Sequence, residues 1–311
     1  MIERPMFGSH LSIAGTMVNA LAEAEALGLD TVQVFTKNQQ QWKAKPLDDA
    51  VVKDWRTGIA RLNWQGRTVS HASYLINLAT HNDVLWTKSL DLMTDEIERC
   101  EMLGIPYLVH HPGSFVGWTL EQGISRIGEA YKELFRRTAG YKTVSCLEGT
   151  AGAGSHIGGP FEHLAALRTT ILDRTGQPGR LGYCLDTCHM HAAGYDLSTR
   201  DSAANVLEEF DRLCGLSNIR VMHLNDSKGK TGSHLDRHEH IGQGWIGGGA
   251  TLHNGVGKFN GARLAKSGFY TVVNNPHLGG VPKILETPKG QTDGDMPWDR
   301  VNLKRLKALL A

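Results

Sequence analysis

The sequence predicts an α/β protein closed into an eight-stranded (β/α)8 barrel, and three observations carry that prediction. At 311 residues the chain has the length of one such barrel, which takes about 250 residues or more. Short apolar runs rich in β-branched residues alternate with stretches of helical period, the pattern of parallel strands joined by crossover helices. Polar side chains that can bind metal recur at the ends of those runs at nearly constant intervals, as one βα unit follows another.

The first strand covers residues 7–12, and the helix after it runs through Leu21 and Leu27 to stop at Gly28. Residues 31–35 form the second strand and 68–74 the third, followed by a helix with Leu90, Met93, Ile97 and Cys100 on one face and Gly104 as its stop. The fourth strand is 107–110. Leu120, Ile124, Ile127, Tyr131 and Leu134 mark the next helix at spacings of three and four. The fifth strand is 143–148, Pro160 opens a helix through Leu164, Leu167 and Ile171, and 182–186 is the sixth strand. Leu207, Phe210 and Leu213 face the core from the following helix. Residues 219–224 and 282–286 are the last two strands, and Val301, Leu303, Leu306 and Leu310 lie on a closing amphipathic helix. Between those strands residues 225–257 are rich in Gly and His, and so long a loop in a compact domain is more often functional than idle. No low-complexity linker divides the sequence, so residues 1–311 are expected to form a single catalytic domain.

Composition narrows the function. A hydrophobic share of 41% with 21% charged residues excludes a disordered chain. No apolar run approaches the roughly 20 residues needed to span a bilayer, and the N-terminus has neither a signal-peptide core nor a transit pattern. A cytoplasmic protein without a membrane partner is therefore expected. The net charge of +1 gives no bulk attraction for a polyanion, so any nucleic-acid site must be a local patch. Five scattered cysteines, Cys100, Cys146, Cys184, Cys188 and Cys214, read as reduced thiols, and Cys184 and Cys188 lack the second pair that a zinc ribbon needs.

The chemistry is concentrated at the strand ends. His71, His111, Glu148, Asp186 and His223 follow one another at intervals of 40, 37, 38 and 37 residues, and Glu286 ends the eighth strand. In a TIM barrel the C-terminal strand ends converge on one face, so these six become neighbours in one active-site cup. Three carboxylates there repel one another unless cations compensate. Imidazole with carboxylate and no thiolate suits zinc, with Mn2+ or Fe2+ as substitutes, and does not suit calcium or magnesium. His189, three residues after Asp186, and the loop pair Asp236 and His238 can make a separate site of two imidazoles and a carboxylate. Any one of these histidines alone would be read as a surface or hydrogen-bonded core residue. Their joint placement at successive strand ends overrides that reading.

Several longer motifs accompany the ligands: Phe-Thr-Lys-Asn-Gln at 35–39, Ser-Tyr-Leu-Ile-Asn-Leu at 73–78, His-Pro-Gly-Ser at 111–114 and Gly-Thr-Ala-Gly at 149–152. Phe-Glu-His-Leu-Ala at 161–165, Asp-Thr-Cys-His at 186–189, Ala-Gly-Tyr-Asp-Leu at 193–197, Met-His-Leu-Asn-Asp at 222–226, Asp-Arg-His at 236–238 and Ile-Leu-Glu-Thr at 284–287 continue the series. In this order and spacing the set resembles the endonuclease IV family of abasic-site endonucleases, from near the first strand to near the last helix.

That resemblance implies three zinc ions per chain. His71 and His111 would hold the first, Glu148 would bridge it to a second completed by Asp186, His223 and Glu286, and His189, Asp236 and His238 would hold the third. It implies a DNA-repair enzyme of base excision that acts as a monomer on double-stranded DNA. The phosphodiester 5′ to an abasic site would be hydrolysed, leaving a 3′-hydroxyl and a 5′-deoxyribose phosphate, with Glu148 and Glu286 as the catalytic carboxylates. Metals sharing Glu148 can supply a hydroxide at neutral pH and neutralise the charge that develops on the phosphate.

Lys37, Asn38, Gln39 and Gln40, with Trp42, Lys43 and Lys45, form a small basic and aromatic patch. Alone it reads as a solvated loop; the resemblance makes it a DNA contact. Tyr74 likewise matches a position that stacks near the lesion, and Lys228, Lys230 and Arg237 are candidates for phosphate contacts. The chain departs from the family at Gly149, Ala72 and Gln40, where Asn, Asp and Arg are common, and Gln40 bears on damage recognition. His234 and His240 exceed what ligation requires and are expected at the surface. The rival reading is a metal-dependent sugar or sugar-phosphate isomerase or epimerase on a related barrel, which has no use for a third metal site or for the patch at Lys37. A non-catalytic DNA-binding protein would not focus three carboxylates on one pocket.

Overall fold

A computed structural model describes residues 4–249 and 257–311; residues 1–3 and residues 250–256 of the Gly-rich stretch lie outside it. Eight parallel strands close a barrel: β1 (Met6–His10), β2 (Thr31–Val34), β3 (Val69–His71), β4 (Tyr107–His110), β5 (Val144–Glu148), β6 (Leu181–Asp186), β7 (Ile219–His223) and, after a two-residue ladder of β8 (Asp226–Ser227) with β9 (His238–Glu239), β10 (Pro282–Leu285). The barrel order is β1-β10-β7-β6-β5-β4-β3-β2, so strands consecutive in sequence are neighbours and β10 closes on β1. This is the TIM-barrel topology that the alternation predicts.

The helices cover the strands: α1 (Val18–Leu27), α2 (Asp49–Leu62), α3 (Asp83–Leu103), α4 (Leu120–Arg137), α5 (Phe161–Thr175), α6 (Thr187–Ala193), α7 (Arg200–Cys214), the short α8 (Gly261–Leu264) and α9 (Gly268–Asn274), and α10 (Trp298–Lys307). Their starts and stops are local chemistry. Thr119 and Gln122 form a capping box on α4, Asn82 caps α3 by accepting from the Leu85 amide, and Gly28 and Gly104 end α1 and α3 in the left-handed conformation. Among the helices additional to the expected elements, two stand out. In α2, Asp48 accepts from the Ala50 amide, and Trp55 and Ile59 are buried at a spacing of four. The second is α6, which follows β6 directly and carries His189.

Strand periodicity sorts the interior into layers. Val69, Val109, Cys146, Cys184, Val221 and Ile284 form a cluster of their own in the barrel, separate from the large core between strands and helices. Gly8 stands at the same level on β1: a Cβ there would lie 2.7 Å from Thr31 Cγ2 and 2.8 Å from Ile284 Cδ1, which only glycine avoids.

β1 and β3 are shorter than the expected 7–12 and 68–74. The chain leaves the sheet after His71 because Ser73 is drawn aside, its amide donating to Glu96 Oε1 and its hydroxyl to the Gln39 carbonyl. All five cysteines are free and buried. Cys184 and Cys188 are held as neutral thiols by burial, which pushes each up to about 12. His240, expected at the surface, is instead buried: it stacks on Trp298 at 3.8 Å between centroids and meets Asn302 Nδ2 at 3.2 Å, and burial lowers its imidazole to about 4. His234 is exposed, with Nδ1 beside the Ala151 carbonyl.

Candidate metal centre

One step of two residues beyond the inner cluster reaches the predicted ligands. Val69 leads to His71, Val109 to His111, Cys146 to Glu148, Cys184 to Asp186, Val221 to His223 and Ile284 to Glu286. Each ligand therefore shares the inward face of its strand with a core residue and lies one layer nearer the C-terminal mouth. With His189, Asp236 and His238 they form three thiol-free groups of ligating atoms: His71, His111 and Glu148; Glu148, Asp186, His223 and Glu286; and His189, Asp236 and His238; two further groups bring Cys184 to Glu148 and His223, and Cys188 to Asp186 and His238. Within each group the atoms lie within 4.8 Å of one another.

Glu148 joins the first two groups, each of its oxygens serving a different set of imidazoles. Oε2 is 3.1 Å from His71 Nε2 and 3.3 Å from His111 Nε2, while Oε1 is 2.9 Å from His223 Nδ1 and 3.5 Å from His189 Nδ1. Glu286 Oε2 and Asp186 Oδ2 approach the same His223 nitrogen at 3.1 and 3.8 Å. The third group is built from α6 and the β8–β9 segment. Asp186 Oδ1 caps α6 by accepting from the His189 amide at 3.0 Å, and His189 Nε2 and His238 Nε2 meet Asp236 Oδ1 at 3.2 and 3.4 Å.

The imidazole tautomers are set by the backbone. His71 Nδ1 faces the Ala72 carbonyl at 2.7 Å, His189 Nδ1 the Gly149 carbonyl at 2.9 Å and His238 Nδ1 the Glu286 carbonyl at 3.1 Å. A carbonyl only accepts, so each of these nitrogens carries a proton, and Nε2 is left as the nitrogen available to a metal. In each case Nε2 faces a carboxylate oxygen, an arrangement that a second proton satisfies in the free protein and a metal ion can take over. His189 Nε2 and His238 Nε2 are buried without a hydrogen-bond partner, which fits a divalent metal of the zinc type.

The electrostatics agree with the geometry. Burial alone would raise the Glu148 and Glu286 carboxyls, yet His223 and the other imidazoles hold both well below the usual carboxylate range. Burial alone would lower the His189 and His223 imidazoles, yet Asp186, Asp236 and Glu148 hold His189, and Cys184 with Glu286 and Glu148 hold His223, well above the ordinary value. Asp236 is held down to about 2, burial being outweighed by His189.

Around the cup the candidate contacts are placed unevenly. Tyr74 is 60% exposed on the rim, with its ring 5.2 Å from that of His71 and 5.9 Å from that of His111. Asn38 and Gln40 are exposed, Asn38 Oδ1 accepting from the Gln40 amide, while Gln39 is half-buried; Lys43 and Lys45 are exposed. Lys37 departs from the expectation of a DNA contact. Its ammonium is buried, donating to the Gln41 carbonyl at 2.9 Å and lying 3.6 Å from Glu96 Oε1, so it braces the loop from inside.

Three residues at this centre were not among the candidates. Gln33 lies between His223 and Glu286, His10 lies against Glu286, and Asn225 donates to Asp186 Oδ2 at 2.7 Å while accepting from the Glu286 amide at 2.8 Å. The step of two residues along each strand finds His10 from Gly8 and Gln33 from Thr31. Asn225 lies beyond the end of β7 and has no such signal.

Comparison with known proteins gives a consistent result. A family model described as a xylose isomerase-like TIM barrel matches residues 21–253. A probable endonuclease 4 of Chloroflexus aurantiacus is 42% identical over 306 residues, covering 98% of each chain, and one of Trichlorobacter lovleyi is 40% identical over 302 residues, covering 97% of this chain and 98% of its own. The crystal structure of endonuclease IV from Thermus thermophilus superposes with a TM-score of 0.79 at 36% identity, covering 98% of both chains. A D-tagatose 3-epimerase-like protein superposes with a TM-score of 0.67 at 17% identity, a likeness of fold alone.

Proposed function

The chain belongs to the endonuclease IV family, and on that premise we propose that it cuts double-stranded DNA 5′ to abasic sites, leaving a 3′-hydroxyl and a 5′-deoxyribose phosphate. The observation that carries this reading is the separate group of His189, Asp236 and His238 beside the two groups joined by Glu148. A sugar epimerase working with one or two metals has no task for that third group.

Three zinc ions are the cofactors that these donors suit, with Mn2+ or Fe2+ able to replace them. His71 and His111 would hold the first, Asp186, His223 and Glu286 the second, Glu148 both of these, and His189, Asp236 and His238 the third. When bound, the metals supply positive charge to the phosphoryl oxygens and make a hydroxide nucleophile available near neutral pH. The remaining work falls to the protein. Glu148 and Glu286 fix the two joined groups and keep their charge in the ionised form that ligation requires. Backbone carbonyls hold Nε2 of His71, His189 and His238 toward the cup before substrate arrives, so little reorganisation accompanies the reaction. Tyr74, exposed on one rim, and Asn38, Gln39 and Gln40 in the adjacent loop would meet the distorted duplex.

No helix among the described residues is long and apolar enough to cross a membrane. We propose that the protein acts on DNA as a monomer in the cytoplasm. The test combines two measurements. Elemental analysis of purified protein is expected to find close to three divalent metals per chain, and a labelled duplex with one synthetic abasic site is expected to be nicked on its 5′ side. One metal per chain with no nicking would overturn the reading.

A further inference from the structure

Six of the eight strands present a predicted ligand at the inward position nearest the mouth. β1 and β2 present His10 and Gln33 at the equivalent step, which completes a ring of eight polar side chains. Gln33 is fully buried, and its hydrogen bonds define its orientation. Nε2 lies 2.6 Å from Glu286 Oε1, where only a donor is favourable because a carbonyl there would face a carboxylate. The other end, Oε1, is then 2.9 Å from His223 Nε2 and can only accept. That places a proton on His223 Nε2 and leaves Nδ1, which faces Glu148, Glu286 and Asp186, as the nitrogen available to a metal. His10 Nδ1 closes the triangle, 2.9 Å from Gln33 Nε2 and 3.1 Å from Glu286 Oε1.

His223 is thus the exception in the centre. His71, His189 and His238 have their ligating nitrogen chosen by a backbone carbonyl, whereas His223 uses the opposite nitrogen and has it chosen by a side chain. We propose that Gln33 is a positioning residue whose single amide selects the ligating nitrogen of His223 and orients Glu286, and so sets the affinity of the metal held by Glu148, Asp186, His223 and Glu286. The proposal rests on the three-metal reading given above.

Two substitutions separate this role from core packing. Gln33→Met keeps the length and fill of the side chain and removes both hydrogen bonds. Gln33→Glu keeps an acceptor toward His223 and sets a second carboxylate against Glu286. Near-ultraviolet circular dichroism matched to wild type shows that each variant has formed the barrel. The readout is the release of metal from the loaded protein to excess chromogenic chelator, counted per chain. One of three metals is expected to leave Gln33→Met about 10- to 100-fold faster than wild type, the loss typical when a residue that holds a ligand is removed, while the other two leave at wild-type rates. Gln33→Glu is expected to release the same metal at least as fast. Wild-type release of all three from both variants, or equal acceleration of all three, would overturn the positioning role. A wild-type protein holding fewer than three metals would overturn the reading beneath it.

Discussion

Glu148→Gln tests the join between the metal groups directly. The two carboxylate oxygens face different imidazoles, Oε2 toward His71 and His111 and Oε1 toward His223 and His189, at distances between 2.9 and 3.5 Å. An amide keeps the size, replaces one oxygen with a donor and removes the charge, so whichever way it turns one group loses its anionic ligand and the other has a weaker one. Removing a residue that merely holds a ligand costs about 10- to 100-fold. Applied as a lower bound at each of two groups, this multiplies to about 10^2- to 10^4-fold in activity, or roughly 3 to 6 kcal/mol at 1.4 kcal/mol per decade. The assay is single-turnover nicking of an end-labelled duplex carrying one abasic site, at saturating enzyme, with metal content measured on the same preparation. Nicking within tenfold of wild type, at an undiminished metal content, would refute the assignment of Glu148 as the shared ligand.

Gln40→Arg adds a cation to an exposed loop position without touching the centre; it should tighten duplex binding, steepen the dependence of log K on log salt by about 0.9, and leave metal content unchanged, as fluorescence anisotropy across a salt series would reveal. An unaltered slope would remove this loop from the interface. Lys37→Met should act on stability, because it leaves the buried Glu96 without its cation; urea unfolding is expected to show a loss of about 3 kcal/mol, whereas a solvent-facing DNA contact would weaken binding and spare stability. Lys283 is buried beneath β10, and burial lowers its ammonium to about 8 from the ordinary 10.5. Between those values the unfolded chain binds more protons than the folded one, so this group adds stability as pH rises, up to about 3 kcal/mol. Buried thiols such as Cys184 act in the opposite sense over the same range, so the quantity to follow is the difference between wild type and Lys283→Met in metal-stripped protein. That difference should move in favour of wild type from pH 8 to pH 10.5, and a constant difference would refute the shift.

Most of the barrel was legible because its signals are local and repeated. Eight apolar runs, a glycine stop at Gly28 and Gly104, and helical stripes such as Ile124, Ile127, Tyr131 and Leu134 each read without knowledge of their neighbours in space. The ligand candidates were legible for the same reason: one polar residue per βα unit survives as a period along the chain. What escaped was set by long-range contacts. The early end of β3 depends on Glu96, 23 residues away, accepting from the Ser73 amide. The inward turn of Lys37 depends on that same carboxylate, and the burial of His240 depends on Trp298 in the last helix. Gln33 and His10 were readable in principle, two residues beyond Thr31 and Gly8, but a glutamine in a strand signals nothing until His223 and Glu286 are seen on either side of it.

The division of labour between barrel and loops also bears on what distinguishes this chain from sugar-converting enzymes of the same shape. The ring of polar residues at the mouth arises from strand periodicity and barrel closure, and the likeness to a D-tagatose 3-epimerase-like protein is one of fold alone. The third group arises elsewhere. His189 sits on α6, whose start is capped by the carboxylate of Asp186, and Asp236 and His238 are carried by the segment that pairs β9 with β8. Asp226 holds this segment to the Gly-rich loop by accepting from the amides of Ser227, Gly242, Ile246 and Gly247. The departure at Gly149 does not disturb the arrangement, because His189 is anchored by the backbone carbonyl of that residue and needs no side chain there. The third group therefore depends on α6 and the loop after β7, and Gln40 and Tyr74, the proposed DNA contacts, stand outside all three ligand groups.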